Sequence, residues 1–180
     1  MKKFSSVLVV ILVFFLSHVR GQDSLACINS RAEIIKGYHI GVVQPLLSIH
    51  QGKIQYVNQV DFYSIGFPLG ITFNTSGKML VDLEFVPFVK PYLNDVKLYE
   101  VNLLFHPGIL MPLGGGFTFG LRAAFEIGQG QFGFTPLLNK SFKLKSGKVF
   151  FLEGVAPGRW GPEKDSGFSQ ILGMHIGLGF

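Results

Sequence analysis

The sequence predicts an all-β chain, a closed antiparallel up-and-down transmembrane β-barrel of eight strands. Three observations carry that expectation. Apolar residues alternate with small or polar ones along segment after segment, the period of a strand with two unlike faces. The composition is glycine-rich and poor in charge, with 23 Gly, 19 Phe and 15% charged residues. The segments are joined by tight turns and longer polar loops in alternation, as an up-and-down barrel in a bilayer requires.

The chain opens with a different signal. "MKK" is followed by an apolar run from Val7 to Leu16 and then by "SHVRGQD". A basic start, a short apolar run and small residues at a cut site describe a cleaved signal peptide, residues 1–21. Val19 and Gly21 stand three and one residues before the cut, and the barrel domain spans 22–180. The apolar run covers only half a bilayer as a helix, so it is not read as an anchor. No later run approaches the length of a spanning helix. Lys and Arg number 16 against 11 Asp and Glu. Without Lys2, Lys3 and Arg20, 13 basic residues face 11 acidic ones, a net charge of +2. No basic stripe remains to engage nucleic acid. Cys27 is the single cysteine and closes no internal disulfide. It is read as an ordinary near-terminal thiol, because Ser24, Asp23 and Arg20 disrupt the context of a lipid-acylated cysteine.

The strands follow in order. Residues 33–47 form the first. In 61–74, Tyr63, Ile65, Phe67, Leu69, Ile71 and Phe73 alternate with Phe62, Ser64, Gly66, Pro68, Gly70 and Thr72. In 79–90, Val81, Leu83, Phe85, Pro87 and Val89 alternate with Asp82, Glu84, Val86 and Phe88. In 97–109, Tyr99, Val101, Leu103, Phe105 and Ile109 alternate with Glu100, Asn102, Leu104, His106 and Gly108. Residues 117–128 set Phe117, Phe119, Leu121, Ala123, Phe125 and Ile127 against Thr118, Gly120, Arg122, Ala124 and Glu126. Residues 132–142 place Lys140 in the apolar row close to a turn, where a lysine snorkels to the interface. Residues 148–156 are apolar in both rows and have no clear phase. In 168–180, Leu172, Met174, Ile176, Leu178 and Phe180 face away from Gly173, His175, Gly177 and Gly179.

The segments 75–78, 113–116 and 144–147 read as tight turns, and 48–61, 90–97 and 157–167 as longer loops; 128–131 is short. The charge-free apolar row must meet lipid, since a soluble ligand-carrying barrel would be apolar within and polar without. In hydrocarbon every backbone group needs a partner, so the last strand must pair with the first.

On the signal peptide, the eight alternating segments and the terminal Phe180, the chain resembles the small eight-stranded bacterial outer-membrane proteins of the OmpA-barrel, OmpX and OmpW type. The "GQ" cut is similar to exported proteins of the Bacteroidota. The resemblance implies a Gram-negative outer membrane, with lipid, lipopolysaccharide and the outer-membrane assembly machinery as partners, and a monomer. It also implies that Leu172, Met174, Ile176, Leu178 and Phe180 form the signal read by that machinery.

A barrel of eight strands is only wide enough to be filled by side chains. The inward row therefore places Asp82, Glu84, Glu100, Asn102, His106, Arg122, Glu126 and His175 in a polar lumen network, with Arg122 as a bidentate partner for a carboxylate. The carboxylates outnumber the obvious cations, so either some are protonated or His106 and His175 are charged. The preferred reading is a structural plug; the sharper one is a gated, porin-like proton or solute path. The loop 157–167 offers Arg159 and Trp160, as an interfacial aromatic anchor or as a contact surface. Ser48 and His50 are too sparse a pair for a catalytic set, and the histidines show no metal-ligand spacing. No catalytic residue, cofactor or metal is expected. The function expected is non-enzymatic, a structural or surface-interaction role carried by the external loops. The alternatives are a narrow channel or carrier for a small solute, a lipid-modifying outer-membrane enzyme, and a component of an envelope or secretion assembly.

Overall fold

A computed structural model of the chain describes residues 34–57, 64–91, 99–127, 130–161 and 167–180, with the backbone alone at 90–91 and 99–100. The expected signal peptide, residues 1–21, and Cys27 lie outside the described residues, as do large parts of the longer loops.

Strand β1 runs Ile35–His50, past the expected end at 47. Gln51 and Gly52 both sit at positive φ, 48° and 75°, as a two-residue type I′ hairpin turn demands. They return the chain into β2, Lys53–Tyr56, so the segment expected as loop from 48 begins as a hairpin. The second barrel strand is broken into β3, Ile65–Gly66, and β4, Leu69–Asn74. Then come β5 (Leu80–Pro91), β6 (Tyr99–Gly114), β7 (Phe117–Ile127) and β8 (Phe132–Lys143). The seventh is again in two pieces, β9 (Val149–Val155) and β10 (Gly158–Trp160), and β11 (Phe168–Gly179) is last. Each pairs antiparallel with its neighbours, and β1 pairs with β11 to close an eight-stranded barrel.

Both breaks fall at proline, which has no N–H to give a ladder. The sheet survives because the proline carbonyls still accept: Gly41 N–H donates to Pro68 O at 3.0 Å, and Ile171 N–H to Pro157 O at 2.8 Å. A third proline, Pro45, sits where the β1–β11 register shifts between Pro45 and Leu47. That bulge carries Ser48 to the buried side. The tight turn at 114–116 uses three consecutive glycines at positive φ (91°, 58° and 82°), a run that side chains would not tolerate.

The two faces separate cleanly. Ile40, Phe85, Ile109, Leu121, Phe134, Leu152 and Ile176 project outward, exposed on the barrel wall. In water, each such side chain would forgo about 1.5–3 kcal/mol of burial, and a belt of them around a whole sheet is sustained only by hydrocarbon. Lys140, in the outward row of β8, sends Nζ to the carbonyl of Gly115 at 2.6 Å and lies 4.2 Å over the Phe117 ring. It thus reaches the turn end, as a snorkelling lysine should.

Inside, small and large residues complement one another. A Cβ at Gly70 would overlap the His39 ring, one at Gly41 the His175 ring, and one at Gly108 would lie 2.5 Å from Arg122 Cγ. The glycines of the inward row are the space that the polar side chains occupy. Apolar filling comes from Val86, Leu104, Ala124, Leu137, Phe151 and Val155.

Candidate functional site

The site is built around Arg122 at the middle of β7. Its Nε and Nη2 donate to Asp82 Oδ2, each at 2.9 Å. Its Nη1 donates to Glu153 Oε1 at 3.1 Å and lies 3.4 Å from Glu84 Oε1. Three carboxylates from β5 and β9 thus converge on one guanidinium, whose planar fork suits several oxygens at once.

From this centre the network branches. Asp82 Oδ1 accepts from the Thr72 hydroxyl at 2.8 Å. Glu84 is held by His106 Nδ1 and His39 Nε2, both at 3.2 Å. Glu153 is held by His175 Nδ1 at 3.1 Å and by the Asn139 amide at 3.2 Å, with Ser141 donating on to Asn139. Towards the other end, Arg159 Nη2 reaches His106 Nε2 at 3.1 Å and the Thr135 hydroxyl at 3.0 Å. Its Nη1 donates to the Phe134 carbonyl. Asp82, Glu84, Arg122, Thr135, Glu153 and His175 are all at most 3% exposed. Buried charges at this depth persist only when paired, and Asp82, Glu84 and Glu153 each meet the Arg122 guanidinium.

Asp82, Glu84, Asn102, His106, Arg122, Glu126 and His175 all lie in the buried interior. The side chain of Glu100 lies outside the described residues. The network also contains members beyond the eight residues expected in it. His39 and Thr72 enter from β1 and β4. Glu153 enters from the strand whose phase was ambiguous: pairing with His175 on β11 and Asn139 on β8 turns it inward. Arg159 is a correction. It is not a loop contact, because the chain resumes as β10 after Pro157 and pairs with both β8 and β11. That places Arg159 inside, 5% exposed, while its neighbour Trp160 points out. The other half of that loop, 162–166, lies outside the described residues.

Voids lined by described residues follow the barrel interior. A vestibule of about 480 Å³ lies at the end that carries the tight turns and Phe180, and reaches Arg122 and Glu153. A gap of about 30 Å³ lies beside Glu84, His106 and Arg159. A cavity of about 90 Å³, lined by Phe88, Leu104, Glu126 and Arg159, occupies the other half. Arg122 and Glu153 line both the vestibule and the gap, and Arg159 lines both the gap and the cavity.

Closed sheet, apolar exterior, polar interior, tight turns gathered at the end of the termini: these decide the architecture. The chain is a small outer-membrane-type β-barrel. No protein-family model matches it, and no curated protein does. Among solved structures it is similar to Ail, the attachment invasion locus protein of Yersinia pestis, crystallised with the heparin analogue sucrose octasulfate. The two share 12% identity over 79% of this chain and 95% of that one, with a TM-score of 0.40.

On the barrel's outer wall, Trp160 stacks on Phe132 at a centroid distance of 5.6 Å and tilts against Phe168 at 4.8 Å. Phe134 meets it edge-on. Such a cluster on a lipid-facing wall is what an interfacial aromatic girdle is made of. As the only tryptophan, Trp160 gives a clean reading. Its emission should be blue-shifted in vesicles and quenched most by lipids brominated close to the headgroup. Equal quenching by lipids brominated at the chain ends would place it at mid-bilayer instead.

His50 and Ser48, the sparse pair of the outer rim, do not meet. His50 Nδ1 instead shares a hydrogen bond with Ser169 Oγ at 2.7 Å, across the β1–β11 seam.

Proposed function

We propose that this chain is an integral outer-membrane protein with a non-enzymatic structural or surface-contact role, exerted by the loops at the end opposite its termini. It acts as a monomer in outer-membrane lipid beside lipopolysaccharide, and is inserted through its last strand, Leu172, Met174, Ile176, Leu178 and Phe180, by the outer-membrane assembly machinery. One observation carries the reading. The Arg122 network crosses the lumen from β5 to β9 and fills its middle with paired charge, so the interior serves as a strut and the loops are left as the surface for contact.

A second reading, a narrow channel or carrier for a small solute, draws on the aligned voids. Arg122 and Glu153 border both the vestibule and the small gap beside it, so these two side chains stand where the voids meet.

Two measurements test the pair. In planar bilayers the protein should show no discrete openings. On intact cells, Asp165→Cys should react with a membrane-impermeant maleimide while Ser146→Cys does not. Discrete wild-type openings would put the carrier reading first. The reverse labelling pattern would remove the surface-contact reading.

A further inference from the structure

The buried network has a charge imbalance that its own side chains do not resolve. Asp82, Glu84, Glu126 and Glu153 are four buried carboxylates among the described residues; Arg122 and Arg159 are the two buried guanidinium groups. Two negative charges remain unless histidines or a bound cation supply the balance. His106 does not supply it. Arg159 can only donate, so His106 Nε2 at 3.1 Å must accept, and the ring carries its single hydrogen on Nδ1 towards Glu84. His175 is no better placed. Its Nδ1 faces Glu153, and its Nε2 is buried with no hydrogen-bond partner among the described residues, packed where Gly41 leaves no room for a Cβ. Among the described residues His39 is the remaining imidazole beside these carboxylates, and by itself it does not balance the count.

His39 is also where a cation could bind. One nitrogen of its ring, one oxygen of Asp82 and one of Glu84 all lie within 4.8 Å of one another. Asp82 and Glu84 stand two apart on β5 and share its inward face, and His39 comes across β4 from β1. The remaining lone pairs are oriented from outside the trio. Thr72 donates to Asp82 Oδ1, and His106 and Arg122 hold the far oxygens of the two acids. Outer partners of this kind are what fix metal ligands in place. His39 and Thr72 both line the 480 Å³ vestibule, which provides the entry path and space for water ligands.

We propose that His39, Asp82 and Glu84 form a binding site for one divalent first-row cation, filled from the vestibule. An imidazole with two carboxylates is a nitrogen–oxygen donor set of the kind that takes Zn²⁺ or its neighbours. The cation binds between the His39 and Glu84 atoms that face each other at 3.2 Å, and its two charges cancel the excess of the four described carboxylates over the two guanidinium groups.

The test uses the full-length protein expressed into membranes, purified in detergent and stripped with chelator, with Zn²⁺ as the probe. Calorimetry and elemental analysis should give one Zn²⁺ per chain, bound with release of protons. His39→Ala should weaken binding by more than about 100-fold and Thr72→Val by about 10-fold; His50→Ala, at the opposite end of β1, should leave it unchanged. Heat-modifiable gel migration checks that each variant is folded. Should His39→Ala not fold, Thr72→Val and the absorption spectrum of bound Co²⁺ carry the test. Substoichiometric binding by the wild type overturns the site. So does undiminished binding by folded His39→Ala or by Thr72→Val, or a Co²⁺ spectrum that Thr72→Val leaves unaltered.

Discussion

Arg122→Leu should destabilise the folded barrel by about 3–5 kcal/mol, the cost of removing one partner from a buried charged set. The substitution keeps the side chain's approximate bulk but leaves Asp82, Glu84 and Glu153 facing one another without the cation that all three touch. Equilibrium unfolding by urea in lipid vesicles reads the loss directly. Arg122→Lys should recover only part of it, because an ammonium cannot make the paired contacts of the guanidinium fork. A loss below about 1 kcal/mol would mean that the three acids are discharged without Arg122, and that the strut is held together by hydrogen bonds alone.

The neighbouring residue should give the mirror result. Leu121 faces lipid from the middle of β7, and Leu121→Arg should cost about 2–4 kcal/mol, the penalty of a charge on the lipid side at the bilayer midplane. The same change at Ile127, at the end of β7, should cost about 0–1 kcal/mol because its head group reaches the interface. Two adjacent positions thus demand opposite chemistry: arginine at one is indispensable and at the next intolerable. A soluble barrel would accept Leu121→Arg with little change. The comparison of the two outward sites therefore measures the hydrocarbon surround itself.

Much of this was readable from residue order, because a strand with unlike faces records its orientation in every pair of neighbours. Asp82 and Glu84, two apart and flanked by Val81, Leu83 and Phe85, could face only one way. Where both rows are apolar the record is lost. Phe150 and Phe151 look alike in sequence, and only pairing with β8 and β11 turns Glu153 inward. Arg159 was hidden by "PGR", since Pro-Gly signals a loop and nothing local reveals that the ladder resumes. Pro45 likewise shifts the phase of β1 by a bulge that no periodicity reports. The trio of His39, Asp82 and Glu84 has no spacing to recognise, because His39 and Glu84 are 45 residues apart and meet only once β4 lies between their strands.

The β1–β11 seam has a consequence for how the molecule comes into being. Its pairs, from His39↔Gly179 to His50↔Ser169, join the most distant parts of the described chain. Every other interface in the barrel can form between strands that are close in sequence, so hairpins have a short route and the seam the longest. Until residues 168–179 arrive, any partial structure presents two raw edges to its surroundings, each a row of unanswered backbone groups. Hence there is no stable fraction of this fold. Seven strands are a template for mispairing, and the eighth turns the whole into a single cooperative unit. Loss of the final strand should therefore leave an unfolded or aggregated chain in place of a weakened barrel.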